Sequence, residues 1–347
     1  MKTDVKAYLR TYDGPAVSLM EVCGTHTAEI SRNGIPSMLS PKIRLISGPG
    51  CPVCVTVTAY VDRLVELCMR PDTIVTSFGD MLRVKGSKQS LSDAKGEGGH
   101  VRMVYSPFQA LELAESTSDK TVVFAAVGFE TTAPVYALLL SQAVERGISN
   151  IRLLTSLKTM PPVIDWLCST QGGVDGFIAP GHVSVITGSR LFEGLAERWG
   201  VPFVVSDFEG EGILAAIYAL VQSRGQGRVL NLYPSAVSED GNRQAQELVD
   251  RFFVPCDAAW RGIGAVEGSG LRLREEYARF DAGSEGLTQN QESNPACRCA
   301  QVLTGKLSPA QCPLFRKGCS PESPQGACMV SGEGSCYHYY INRRIAQ

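Results

Sequence analysis

The sequence carries little net charge, few aromatic side chains and no long apolar run. Its 33 Lys and Arg nearly balance 35 Asp and Glu, and only 7% of the 347 residues are aromatic. Such a composition gives no sign of the basic surface that binds nucleic acid, so we expect no nucleic-acid partner. The segment MKTDVKAYLRTYDGP lacks the apolar core of a signal peptide, and no apolar stretch approaches the roughly 20 residues that cross a bilayer. We therefore expect a cytoplasmic protein with no membrane partner.

Cysteine, in contrast, is abundant. The chain has 12 cysteines, and 44% of its residues are hydrophobic, which is enough to form a core. Disulfide frameworks are rare in reducing compartments, so cysteines in a cytoplasmic protein indicate metal binding or thiol chemistry. Their placement along the chain separates these two uses.

Between about Ala16 and Arg224, short β-rich apolar runs alternate with amphipathic stretches of helical length. This alternation predicts βα units, a parallel sheet and the α/β class. Eight strands fit two small domains better than one, with a boundary near Glu115 to Lys120. The predicted strands are Ala16–Met20, Ile43–Ser47, Thr73–Ser77, Val101–Tyr105, Thr121–Val127, Ile151–Thr155, Val174–Ala179 and Pro202–Ser206.

Two stretches depart from this alternation. Arg83 to Gly99 is rich in Gly, Ser and Lys, and is predicted to form a long exposed loop. After about Gln226 a helix is predicted from Asn242 to Phe253, and the tail from Asp281 is rich in Gly, Ser, Pro and Cys. This tail cannot bury much apolar surface, so something other than a core must order it.

Ligands of open α/β sheets bind beyond the carboxyl ends of strands. Cys23 follows the first predicted strand and would lie at the start of a helix, where the helix dipole lowers the pKa of a thiol. The thiolate is the form that binds iron or attacks an electrophile. His26 would share the same helical face and supply an imidazole. The alternative is a buried structural cysteine beside a helix-capping Thr-His pair.

Cys51 and Cys54 form a Cys-x2-Cys between the second strand and a helix, the position of a redox dithiol. Half of a zinc site is the alternative, although no second pair lies nearby at zinc-finger spacing. Glu130 follows the fifth strand and would either accept a proton in the cleft or cap the next helix. His182 is expected to be a turn histidine. Three further cysteines are predicted to be inert core residues: Cys68, Cys168 and Cys256.

The C-terminal tail holds six cysteines: Cys297, Cys299, Cys312, Cys319, Cys328 and Cys336. An iron–sulphur cluster needs four thiolates, and loops rich in Gly and Pro can bend to supply them. Cys297, Cys312, Cys319 and Cys336 are the predicted ligands, at intervals of 15, 7 and 17 residues, which are wider than in bacterial ferredoxins. Zinc is the alternative metal, and either Cys299 or Cys328 would replace one of the four in a different ligand set.

Three segments together resemble the HypD family: EVCGTHT at 21–27, GPGCPVC at 48–54 and GFETTAP at 128–134. The resemblance covers nearly the whole chain. Further segments that carry it are RMVYSP at 102–107, PGHVS at 180–184, WRGIG at 260–264, SGL at 269–271, MVS at 329–331 and the cysteine tail.

The resemblance implies two Rossmann-like parallel-sheet domains facing a cleft, with a third, iron–sulphur-bearing part built from the two termini. The corresponding boundaries are 15–118 for the first domain, 119–228 for the second, and 1–14 with 229–347 for the third. In function it implies a maturation scaffold that assembles the Fe(CN)2CO unit of [NiFe]-hydrogenase, rather than a conventional turnover enzyme. The expected partners are a HypC-like small chaperone and a HypE-like cyanide donor.

The resemblance also implies residue roles. Cys23 would bind the iron that carries cyanide and carbon monoxide, with His26 as its neighbour, and the [4Fe-4S] cluster of the tail would provide electrons through Cys51 and Cys54. The sequence departs from the family pattern at SDFEGEG, residues 206–212, at Leu157 and at His100. A stand-alone iron–sulphur thiol oxidoreductase is the alternative function. A nucleotide-binding enzyme gains no support, since no phosphate-binding glycine motif follows a strand.

Overall fold

The computed structural model describes residues 4–292 and 294–342 and confirms an α/β fold with two mainly parallel sheets. The described strands are β1 (Val17–Glu21), β2 (Ile43–Ser47), β3 (Thr73–Ser77), β4 (Val101–Met103), β5 (Thr121–Gly128), β6 (Ile151–Lys158), β7 (Gly176–Ala179), β8 (Phe203–Val205), β9 (Val229–Asn231), β10 (Phe253–Trp260) and β11 (Gly264–Leu273). All eight predicted strands are present, within three residues at either end. β9, β10 and β11 were not predicted as strands.

One sheet has the order β2-β1-β7-β8-β9 and is parallel throughout. The other has the order β10-β11-β6-β5-β3-β4, parallel from β6 to β4 and antiparallel at β10 and β11. Seven of the eight residues of β5 are buried, because helices cover both faces of the sheet at this strand.

The helices surround the sheets and fill the tail. They are α1 (Val5–Thr11), α2 (Gly24–Arg32), α3 (Thr58–Cys68), α4 (Gly79–Arg83), α5 (Leu91–Gly96), α6 (Pro107–Ser116), α7 (Ala133–Glu145), α8 (Met160–Gln171), α9 (Gly181–Thr187), α10 (Glu193–Trp199), α11 (Gly210–Gln222), α12 (Arg243–Phe252), α13 (Cys299–Leu303), α14 (Ala327–Val330) and α15 (Ser335–Ile341). Short 3-10 helices cover Ile35–Met38, Ser189–Phe192, Glu275–Phe280 and Pro309–Gln311. Three longer helices, α6, α7 and α8, have proline in the first turn, where its missing N–H costs no helical hydrogen bond.

The predicted domain boundaries do not separate the two sheets. β1 and β2 pair with β7, β8 and β9, so strands from the ranges 15–118 and 119–228 occur in each sheet. The periodicity of a sequence identifies strands but not their order in a sheet, and the crossovers here carry the chain from one sheet to the other and back. The range 229–347 likewise contributes β9 to the first sheet and the β10–β11 hairpin to the second.

The N-terminal helix also belongs with a sheet rather than with the tail. Leu9 of α1 is fully buried in a cluster with Leu19 of β1, Ile178 of β7 and Ile217 of α11. Leu9 thus attaches α1 to the five-stranded sheet.

The predicted exposed loop from Arg83 to Gly99 contains α5, whose start is fixed by a capping box. Ser90 Oγ accepts the Asp93 N–H at 3.2 Å, and Asp93 Oδ2 accepts the Ser90 N–H at 2.9 Å. The Ser-x-x-Asp spacing in the sequence indicates such a capping box. The Gly, Ser and Lys content of the stretch nevertheless favoured the prediction of a loop.

None of the helices in the described ranges has the length and apolar content that a membrane span needs.

Adjacent leucines of α7 test the assignment of its buried face. Leu139 is fully buried and Leu138 is 41% exposed. We expect Leu139→Ala to lower the free energy of unfolding by about 2–5 kcal/mol, because it leaves a cavity in the core. Leu138→Ala is the matched control and should cost less than about 1 kcal/mol. Denaturant unfolding of both variants measures this, and equal losses would contradict the assigned face.

Candidate functional site

Cys23 lies where β1 ends and α2 begins. It is the N-cap residue of α2 and is 8% exposed. The backbone at Gly50, from the loop after β2, packs directly against the backbone of Cys23, and a Cβ at residue 50 would overlap it. The Gly24 N–H donates to the Gly50 carbonyl at 3.1 Å. Because β1 and β2 are neighbours in the sheet, the Cys23 loop and the Cys51 loop form one unit.

The expected lowering of the pKa of Cys23 is wrong for this structure. Burial raises the pKa of the thiol to about 12 and outweighs the backbone N–H groups of His26 and Thr25, which act in the opposite direction. The nearby carboxyl group of Glu21 contributes to this rise in pKa. The thiol is therefore protonated at neutral pH, and a metal ion binding there would displace its proton.

Glu21 holds the start of α2 in place. Its Oε2 accepts the Cys23 N–H at 2.9 Å and its Oε1 accepts the Thr27 hydroxyl at 2.5 Å. Burial raises the pKa of Glu21 to about 7. Glu21 was not predicted as a site residue, although a glutamate at the end of a mostly apolar strand, directly before Val22 and Cys23, is a usable signal.

His26 is fully buried and belongs to an aromatic stack. Its Nε2 donates to the Asp207 carbonyl at 2.9 Å, and in the described part of the chain its Nδ1 has no hydrogen-bond partner. Burial lowers the pKa of His26 to about 4, so the ring is neutral. Phe208 lies between His26 and His182, with ring centroids 4.8 Å and 4.1 Å away. The divergent segment 206–212 thus lies against His26, and His182 stacks in this group.

Cys51 and Cys54 form a disulfide in this structure. Both are buried, and the Cys54 N–H donates to Cys51 Sγ at 3.1 Å. Cys54 Sγ lies 4.0 Å from the carbonyl oxygen of Ala327 in α14. The pair is therefore bonded internally and contacts the cysteine tail.

All six tail cysteines line one small cavity, together with Leu314, Phe315, Gly326 and Met329. Cys328 lies beside Cys299 and Cys336, whose side chains raise the pKa of the Cys328 thiol. Gly326 is needed here, because a Cβ on it would lie 2.7 Å from Cys297 Sγ. Over residues 4–292 and 294–342, no three His, Cys, Asp or Glu side chains converge as ligands of a single metal ion do.

Glu130 lies after β5 and caps a different helix from the one expected. Its Oε1 accepts the N–H of Met160, the first residue of α8, at 2.7 Å, while α7 begins after Thr132. The buried Oε2 has no partner among the described residues, and burial raises the pKa of Glu130 to about 7. The adjacent Phe129 stacks on Trp260 and lies in the same apolar cluster as Cys51 and Cys54.

Comparison with known proteins decides the family. The HypD model, described as "Hydrogenase formation hypA family", matches residues 2–343. The chain belongs to the HypD family.

Curated relatives agree with this assignment over nearly their whole length. The hydrogenase maturation factor HypD of Azotobacter vinelandii is 42% identical over 95% of this chain and 90% of its own. HypD of Escherichia coli K12 is 41% identical over 94% and 89%. HypD of Rhodobacter capsulatus is 42% identical over 93% and 89%. The expected family is confirmed, and the protein is a member of the HypD hydrogenase maturation factors.

The raised pKa of Glu130 in this HypD-family protein predicts a pH dependence of stability. A carboxyl group with a pKa of about 4.5 unfolded and about 7 folded holds a proton in the native state that the unfolded state releases. Its contribution to stability therefore falls as the pH rises from about 4.5 to about 7. Glu130→Gln should flatten this slope in denaturant unfolding at pH 5 and pH 7.5. Glu112→Gln, exposed on α6, is the control, and a slope unchanged by Glu130→Gln would contradict the assignment.

Proposed function

We propose that this HypD-family protein is the scaffold on which the Fe(CN)2CO unit of [NiFe]-hydrogenase is assembled, with Cys23 as the ligand that holds the iron. The observation that carries the proposal is the junction of three thiol groups. Cys23 contacts the Cys51 loop, and Cys54 contacts the tail that holds six more cysteines. A binding thiol, a redox pair and a possible cluster site are thereby joined through buried contacts.

The surroundings of Cys23 suit an iron ligand. Backbone N–H groups of Thr25 and His26 face the thiol and would stabilise the thiolate once iron has displaced the proton. The hydrogen bonds of Glu21 to Cys23 and Thr27 fix the loop, so the thiol keeps one position. Neutral His26, three residues on, adds no positive charge that would oppose iron.

The tail cysteines fit an iron–sulphur cluster by their chemistry. The donors are all thiols and come from separate segments around one cavity, which suits a four-iron cluster better than a single ion. We assign Cys297, Cys312, Cys319 and Cys336 as ligands of the [4Fe-4S] cluster, which leaves Cys299 and Cys328 outside the set. When bound, the cluster would supply electrons to the protein.

The Cys51–Cys54 pair is suited to a two-electron step. Its disulfide takes up two electrons and two protons to become a dithiol. Release of cyanide from a thiocyanate-type donor, giving a thiolate and cyanide, consumes two electrons, the number that the dithiol returns when it closes again. The position of the pair between Cys23 and the tail supports this role.

Two protein partners complete the proposal. A HypC-like small chaperone would share the iron with Cys23, and a HypE-like protein would deliver cyanide. Cys23 retains 8% of its surface, and such a partner would approach the residue there. The names of the relatives support a role in hydrogenase maturation.

Infrared spectroscopy and iron analysis of the protein, purified anaerobically with its small partner, test the scaffold. We expect cyanide and carbonyl stretches that vanish in Cys23→Ala, while the absorption of the cluster stays and hydrogenase maturation in cells is lost. Cys168→Ala, half-buried on α8, is the control. Active hydrogenase with Cys23→Ala would refute the iron site. A [4Fe-4S] signal without those stretches, with turnover in the absence of partners, would favour the thiol oxidoreductase.

The cluster assignment has its own test. Single Cys→Ser changes at residues 297, 312, 319 and 336 should each remove most of the visible absorption and the iron of the anaerobic protein, because serine is a poor ligand for these clusters. Cys168→Ser should leave both unchanged. Loss of the cluster in Cys299→Ser or Cys328→Ser, with retention in one of the four, would show that the ligand set includes that residue instead.

A further inference from the structure

A second cavity lies away from the thiol junction, on the six-stranded sheet. It has a volume of about 310 Å³ and is enclosed by the end of β6, the β10–β11 hairpin, α3 and residues 284–288. Apolar side chains such as Val57, Ala259 and Leu287 form much of its wall. None of the residues assigned above to the iron or to the cluster lines it, so it can hold a separate ligand.

Lys158, the last residue of β6, places a buried amine at this cavity. The residue is 2% exposed. Its Nζ donates to Ser156 Oγ at 2.8 Å and lies 5.7 Å from the centre of the Trp260 ring. Neither neighbour carries a negative charge, and a buried ammonium group is costly unless it is paired.

The carboxylates near the cavity are engaged elsewhere. Glu285 pairs with Arg272 at 3.8 Å, and both side chains are largely exposed at the mouth. Asp257, which also lines the cavity, accepts the Gly268 N–H at 2.9 Å. Within the described ranges, Lys158 itself has no ion-pair partner.

The sheet register places Lys158 and Cys256 on the same face of the sheet, on either side of a glycine. Gly270 of β11 pairs with Lys158 on one side and with Cys256 of β10 on the other. Residues that pair across strands share a face, so the amine and the thiol lie on the same side of the sheet with no side chain between them. A Cβ on Gly270 would lie 3.2 Å from Cys256 Sγ. Cys256 is thus a half-buried wall residue of the cavity rather than the inert core residue expected from the sequence.

We propose that this cavity binds a small organic carboxylate, with the Lys158 ammonium group as its counter-ion and the apolar wall holding its carbon chain. The hydroxyl of Ser156 and the guanidinium of Arg272 at the mouth supply further donors. The inference goes beyond the scaffold function and depends on no property of Cys23 or of the cluster.

The ionisation of Lys158 agrees with this assignment. Burial is the main cause that lowers the pKa of the amine to about 7; Cys256 acts in the opposite direction and Arg261 in the same one. A bound carboxylate supplies the missing negative charge and stabilises the ammonium form.

Ligand-observed NMR titration of the full-length, anaerobically prepared protein tests the site. The probes are acetate, butyrate and hexanoate, each beside its neutral amide. We expect saturable binding of the carboxylates that strengthens with chain length, and amides that bind at least about tenfold more weakly. Lys158→Met keeps the length and removes the charge, so it should raise the Kd for butyrate at least about tenfold. Lys95→Met, exposed on α5, should not change it.

Alkylation of Cys256 gives a second measurement that uses the wild-type protein. Saturating butyrate should slow the reaction of Cys256 with iodoacetamide, measured by peptide mass, and leave Cys168 unaffected. Equal affinity for acid and amide, equal Kd in wild type and Lys158→Met, or unprotected Cys256 at saturation would each overturn the proposal. Displacement of butyrate by phosphate, with no dependence of affinity on chain length, would identify a nonspecific anion site and overturn the organic class.

Discussion

The contact between the Gly50 and Cys23 backbones is the constraint on which the site depends. β1 and β2 lie side by side, and the loops that follow them meet without room for a single Cβ. This approach fixes Cys23 at the start of α2 and puts the Cys51–Cys54 loop beside it. Any side chain at residue 50 would separate the two loops, so the glycine here is required by packing and not by a turn.

Burial then sets the electrostatics of the junction. A helix N-terminus normally favours a thiolate, but the α2 N-terminus is enclosed and desolvation dominates. The same cause raises the pKa of Glu21 and lowers that of His26. At neutral pH the thiol of Cys23 and the ring of His26 consequently prefer their neutral forms, and the carboxyl group of Glu21 is close to its pKa. The binding of a cation would reverse this preference for Cys23, because the ion replaces the proton as the positive partner of sulphur.

The sequence predicted local features well and long-range ones poorly. β2 and β3 have the predicted bounds, because short β-branched runs between turn residues identify buried strands without tertiary information. The grouping of strands into sheets could not be predicted in this way, since β1 pairs with β7, which is distant in sequence, and nothing local encodes that choice. The cysteine motifs predicted thiol sites after β1 and β2, whereas the stacking of Phe208 between His26 and His182 depends on contacts between residues distant in sequence. The burial of Lys158 could not be predicted either. A lysine at the end of a strand is expected to be solvent-exposed, and the β10–β11 hairpin that covers it is distant in sequence.

The tail links the two sheets to the thiol junction and has little apolar core of its own. The Glu333 side chain packs where a Cβ on Gly24 would lie, and the Ser31 hydroxyl donates to the His338 carbonyl at 3.2 Å. On the side of the other sheet, the Gly332 N–H donates to Asp80 Oδ2 at 3.0 Å. These contacts place α14 and α15 against α2 and α4 together. Whatever orders the tail therefore also fixes the helix that carries Cys23, and the geometry of the candidate iron site and the order of the cysteine tail depend on each other.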